Sequence, residues 1–180
     1  MQKNKKFVDV FLDTEFTTAG MNSQLISLGM VSENNDKLYI EFNFNKKFLT
    51  PWLKKNVVTK LKKKPLNKSI AKKKLENWFN KIGKEKKIRL ISAGKEMDNL
   101  LLYSLWTSKK LNSFCWRYKI PHQINHTSHI DMMTLLQVNK IDSTIDRLKF
   151  SGIKKITMVH QSLNDAIILK KCLEKLKIKC

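Results

Sequence analysis

Three features of the chain predict an α/β fold, a mixed β-sheet with flanking helices. Apolar residues alternate or cluster in short runs over the first 45 residues, as strands require. Beyond Pro65 they recur at helical spacing, and short apolar runs return between the helical stretches. The order reads β-β-β-α-β-α-α-β-α, with no internal repeat and no linker long enough to divide it. Residues 1–180 are therefore expected to form one domain, a sheet covered by helices.

Residues 7–13 predict a short apolar strand ending on a carboxylate, and 24–33 a second strand. Asn34, Asn35 and Asp36 supply turn chemistry before a third strand over 37–45, where Leu38, Ile40, Phe42 and Phe44 alternate with Tyr39, Glu41 and Asn43. Strands joined this way form an antiparallel meander. Pro51 and Pro65 bracket a lysine-rich connector with room for a short helix. Over 68–82, Ile70, Ala71, Leu75, Trp78, Phe79 and Ile82 predict an amphipathic helix with a lysine-coated outer face. A strand over 88–93 and a helix over 96–106 follow, the helix carrying Met97, Leu100, Leu101 and Leu105 on one stripe. Residues 112–128 read as loop. Helices are expected near 129–138 and 142–149, then a strand over 156–159 and a last helix over 162–177. Apolar neighbours assign Trp52 and Trp78 to the core.

Thirty-six basic residues against fifteen acidic ones leave a formal charge of +21. Residues 54–89 alone hold fifteen of the bases and two of the acids. Such a field attracts polyanions, with nucleic acid the leading partner. Lysine outnumbers arginine 33 to 3, a bias that an AT-rich coding sequence also produces, so charge alone names no function. The runs Lys62–Lys64 and Lys72–Lys74 read as solvated faces, and as a backbone-tracking groove only if they border a cleft. No run of eighteen apolar residues exists, so no membrane span is expected. Asp9, Asp13 and Glu15 interrupt the apolar stretch behind the basic N-terminus, which argues against a secretory signal. Cys115, Cys172 and Cys180 form no CxxC pair and suit a reducing compartment, so a cytoplasmic location is expected.

With so few acids, their placement is informative. Asp13 and Glu15 lie two apart at a strand end, where period-two alternation points both to one face. Adjacent carboxylates repel unless a cation joins them or one is protonated, and Mg²⁺ or Mn²⁺ suits all-oxygen ligands. The alternative is an exposed pair with no ligand. Farther on, His160 precedes a helix whose first turn carries Asp165. Asp165 is either a capping acid or a metal ligand, and an imidazole beside it is suited to taking a proton from water.

The set Asp13-x-Glu15, Asp98 within Met97-Asp98-Asn99-Leu100, and His160-x₄-Asp165 resembles the DEDDh branch of 3′→5′ exonucleases, which have an RNase H-like fold. The stretches Phe11-Leu12-Asp13-Thr14-Glu15-Phe16 and Gln24-Leu25-Ile26-Ser27-Leu28-Gly29 are similar to the small exoribonucleases of the RNase AS type, the adenylate-specific group. So are Leu105-Trp106 and the stretch from His160 to Ala166, and the resemblance runs from about residue 7 to 176. It implies an RNase H-like (exonuclease-type) sheet and a two-metal hydrolysis, with two Mg²⁺ or Mn²⁺ ions per site. Asp13 would bridge the metals, Glu15 and Asp165 would complete the water-activating site, Asp98 would support the second ion, and His160 would be the general base. The products would be nucleoside 5′-monophosphates. Thr14, Phe16 and Trp106 are the expected substrate contacts, Phe16 at the terminal nucleotide; Trp116 is a further aromatic able to stack on a base.

The implied substrate is single-stranded nucleic acid, RNA favoured, and many members of the resembled family are homodimers. A DNA exonuclease and a non-catalytic nucleic-acid-binding protein of the same fold remain the alternatives. Asp131, also preceded by loop and followed by helix, competes with Asp98 for the third carboxylate position; order and context favour Asp98. His122, His126 and His129, with Cys115 nearby, have spacings that zinc tolerates. They lie around Pro121 in a loop, and the resembled family has no such site, so they are expected to be scattered loop histidines.

Overall fold

Strand β1 (Phe7–Phe16) is the axis about which the protein is built, in a computed structural model that describes residues 6–18, 20, 22–93, 96–107, 120–154 and 160–176. It runs three residues beyond the expected end at residue 13, because Thr14, Glu15 and Phe16 still pair with Leu28, Ser27 and Leu25 of the antiparallel β2 (Leu25–Ser32). β2 pairs antiparallel with β3 (Lys37–Glu41), completing the meander. On its other side β1 lies parallel to β4 (Lys87–Ser92), which lies parallel to the two-residue β5 (Ile130–Asp131). The order β3-β2-β1-β4-β5 is therefore a mixed sheet with β1 at its centre. β3 stops at Glu41, short of the expected residue 45, and Phe42 keeps one bridge to Leu66.

Four of the helices start where a short polar side chain caps them. Thr50 accepts from the Leu53 amide to open α1 (Pro51–Asn56), with Pro51 in the first turn where no amide is needed. Asn67 does the same from Ile70 for α2 (Lys68–Ile82), which ends at Gly83. After α3 (Met97–Ser104), Asp131 caps α4 (Met132–Val138) by accepting from Met133 and Thr134. Asp146 caps α5 (Arg147–Ser151), which stops at Gly152 in the left-handed region, φ 75°. α6 (Ser162–Leu176) closes the fold. The strand expected over 156–159 lies outside the described residues.

Alternation along β1 divides the interior in two. Val10 and Leu12 face Leu75 and Phe79 of α2 and Leu101 and Leu102 of α3. Phe11 faces the other way, onto Met132 and Leu136 of α4 and Ala166 and Leu169 of α6. Asp9 shares that second face and is buried; Arg89, its register partner on β4, meets it at 2.7 Å and lies over the Phe7 ring. Helices thus cover both faces, and each face has its own apolar core.

One contact sets where α6 begins. Its first turn lies on β2 at Gly29, so closely that a Cβ there would stand 2.1 Å from the Leu163 backbone nitrogen. Ser27 Oγ and Ser162 Oγ, both buried, meet at 3.0 Å beside it. Because Gly29 is the register partner of Asp13, this approach brings the start of α6 over the end of β1. Gly29→Ala should destabilise the protein by about 1–3 kcal/mol through backbone displacement, measured by urea denaturation. Unchanged stability would contradict so close an approach.

Candidate active site

Face and length place the acids. Asp13 and Glu15 lie on the α6 side of β1, past the end of its pairing with β4. Open sheets bind ligands at such carboxyl ends of parallel strands. Asp98 comes from the first turn of α3 and is buried; the amide and hydroxyl of Thr14 both donate to its Oδ1, at 3.1 and 2.6 Å. Asp165 comes from the first turn of α6. The amides of His160 and Gln161 hydrogen-bond its carboxylate. Asp165 therefore both caps the turn and faces the site, so the two readings of it are compatible.

These four acids and His160 line one cleft of about 700 Å³. Ligand atoms of Glu15, His160 and Asp165 all lie within 4.8 Å of one another. Among the described residues that is the one group of three close enough to share a metal. His160 sits in the left-handed region, φ 58°, and its ring meets Trp52 edge-on, with centroids 5.0 Å apart.

Burial and mutual repulsion make the acids reluctant to ionise. Burial raises the Asp13 carboxyl well above the usual carboxylate range, and Asp98, Asp165 and Glu15 push the same way while Arg147 opposes them. Glu15 is pushed up to about 7 by burial and by Asp165, against the pull of Lys60. Asp165 is raised by burial, with His160 and Arg147 pulling it down. The cluster thus lacks positive charge, and its hard oxygen donors fit Mg²⁺ or Mn²⁺.

The aromatic assignments change. Trp106, an expected substrate contact, is 3% exposed in the core beside Phe79; its Nε1 donates to Glu76 at 2.8 Å, and it does not line the cleft. Trp52, expected in the core, is 51% exposed and lines the cleft instead. The reason is α1, whose single turn and a half buries no residue. Trp78 is in the core as expected, and Trp116 lies outside the described residues. Phe16 lines the cleft, half-buried. Thr14 lines it too, but its polar groups are engaged in holding Asp98.

Asp131 is absent from the cleft lining; its carboxylate caps α4. His129 Nε2 lies 3.0 Å from Ser92 Oγ and 2.8 Å from Asn99 Nδ2, an internal polar contact. Cys115 falls outside the described residues. The basic segment divides. Lys54 and Lys55 follow Trp52 and Leu53 at the cleft, and Lys60 acts on Glu15. The amides of Lys62 and Lys63 anchor this stretch on the buried carboxylate of Glu41, at 2.9 and 3.0 Å. Lys72–Lys74 lie on α2, which covers the opposite face of the sheet. Arg147, from α5, also lines the cleft, and no motif pointed to it; its signal in the sequence is the rarity of arginine.

No family model and no curated protein matches the chain. Among solved structures it is similar to the Mg²⁺- and Mn²⁺-bound form of Pop2p from S. pombe. The TM-score is 0.65 at 13% identity, covering 94% of this chain and 82% of that one. The mixed five-stranded sheet with flanking helices thus has the RNase H-like fold of that structure. Among the described residues, no helix is long and apolar enough to cross a membrane.

A group whose pKa is raised by folding stabilises the folded state in acid and loses that contribution as pH rises through the folded value. For Glu15 the window runs from 4.5 to about 7. In EDTA, the stability of the wild type relative to Glu15→Gln should fall across it by roughly 3 kcal/mol. Chemical denaturation at several pH values reads this difference, and a flat profile would contradict the crowded cluster.

Proposed function

We propose that the protein is a metal-dependent 3′→5′ exonuclease that hydrolyses single-stranded nucleic acid, RNA favoured, to nucleoside 5′-monophosphates. The observation that carries this reading is the convergence of Asp13, Glu15, Asp98, Asp165 and His160 from three segments, β1, α3 and the start of α6, in one cleft. The RNase H-like fold supports it, and the resemblance to RNase AS-type enzymes supplies the RNA preference.

Asp13, Glu15 and Asp165 would hold two Mg²⁺ or Mn²⁺ ions, with Asp98 supporting the second. When bound, these ions would neutralise the charge developing on the attacking and leaving oxygens. Thr14 keeps Asp98 in place through two hydrogen bonds to one oxygen. His160 accepts the proton of the attacking water, a role that its closeness to Glu15 and Asp165 supports. Trp52 restrains the imidazole by its edge-on contact. Phe16 receives the terminal base, while Lys54, Lys55 and Lys60 draw the phosphate backbone toward the cleft.

End-labelled RNA and DNA oligonucleotides, incubated with Mg²⁺, Mn²⁺ or EDTA, test this directly. Stepwise loss from the 3′ end, stopped by a 3′-phosphate and by EDTA, is expected, with RNA the better substrate. Asp13→Ala and Asp165→Ala should abolish turnover. His160→Ala should lower kcat by roughly 10²–10⁴-fold with metal affinity retained. Cleavage of a circular single strand would overturn the exonuclease reading.

A further inference from the structure

One side chain of opposite sign stands among the acids. Arg147 opens α5, is half-buried and lines the same cleft. It draws the carboxyls of Asp13 and Asp165 down, so its charge is close to both. Yet among the described residues it makes no ion pair within 4.0 Å. The neighbouring Asp146, also at the cleft, is turned back on its own helix, accepting from the Lys149 amide at 3.2 Å.

The side chain is not needed to anchor α5. Asp146 caps the helix, and the carbonyl oxygen of Arg147 accepts from Cys172 Sγ at 3.4 Å, a backbone contact that any residue would keep. Nor does long-range attraction call for arginine, since lysine supplies 33 of the 36 basic side chains. Of the three arginines, Arg89 is committed to the buried Asp9, and Arg117 lies outside the described residues. What a guanidinium adds over an ammonium is a rigid planar fork that matches two oxygens of a phosphate.

We propose that Arg147 binds the scissile phosphate, its guanidinium donating to the two non-bridging oxygens and, after hydrolysis, to the 5′-phosphate of the released nucleotide. This rests on the nuclease reading of the cleft. It assigns phosphate recognition to α5, apart from the lysines that attract the strand.

Equilibrium binding separates this role from a structural one. Wild type, Arg147→Lys and Arg147→Gln are titrated with Mg²⁺ alone, and then, in Mg²⁺, with adenosine 5′-monophosphate and with adenosine. Arg147→Gln should weaken monophosphate binding by roughly tenfold to a hundredfold, with adenosine unaffected and lysine intermediate. Its Mg²⁺ affinity should stay the same or tighten, because a cation beside the acids has gone. Monophosphate binding equal to wild type would overturn the proposal, and so would joint loss of Mg²⁺ and nucleotide, which marks a structural residue. If the wild type bound neither Mg²⁺ nor monophosphate, the nuclease reading itself would fall and this role with it.

Discussion

The seating of α6 on Gly29 is the constraint on which the rest depends. A helix can approach a sheet this closely only where the strand has no side chain, and that position lies opposite Asp13. The approach fixes the height of α6 above β1, and with it the reach of Asp165. Ser27 and Ser162 pair their hydroxyls at the contact, so backbone proximity is not obtained by stranding a buried polar atom. Below this point the second core, from Phe11 to Leu173, holds the helix along its length.

Against that geometric order stands an electrostatic conflict. Four carboxylates share a half-buried cleft in a chain of net charge +21, yet few of its cations come near them. The lysines that do approach arrive on the α1 side, tethered through Glu41, and those of α2 coat the far face. Arg89 is spent on Asp9. Lys60 and Arg147 pull on the acids without offsetting their burial and mutual repulsion, which leaves them available to a smaller, harder cation. Apolar packing alone would not preserve such an arrangement, since repulsion works against it at every pH where the acids ionise.

Much of this was legible in the residues. The meander, α2, α3 and the final helix follow from apolar spacing, because each buries one face on a sheet. Asp13 and Glu15 at a strand end, with His160 and Asp165 at a helix start, marked the cleft through order and spacing. What stayed hidden depends on contacts between distant segments. The extension of β1 to Phe16 comes from pairing with β2, not from its own hydrophobicity. Trp52 and Trp106 exchange their expected places because apolar neighbours do not distinguish an isolated turn from a helix packed on the sheet; Trp106 finds Glu76 across the α2–α3 layer, and Trp52 has no layer to enter. The helix expected over 142–149 forms only at Arg147–Ser151, where Asp146 can cap it. Asp131 resembles Asp98 in local context, and only the sheet order shows that it ends an edge strand and caps α4.

The backbone at His160 carries a consequence for descent. At φ 58° a β-branched or bulky residue is strained, and those that rest there with least cost are glycine, asparagine, aspartate and histidine itself. A lineage that gave up the imidazole would have a narrow set of replacements open to it. Asparagine or glycine before a retained Gln-Ser helix start would be the mark of a relative that kept the cleft and abandoned its base. Valine, isoleucine or threonine at that position would instead signal that the turn, and with it the seating of the helix, had been rebuilt.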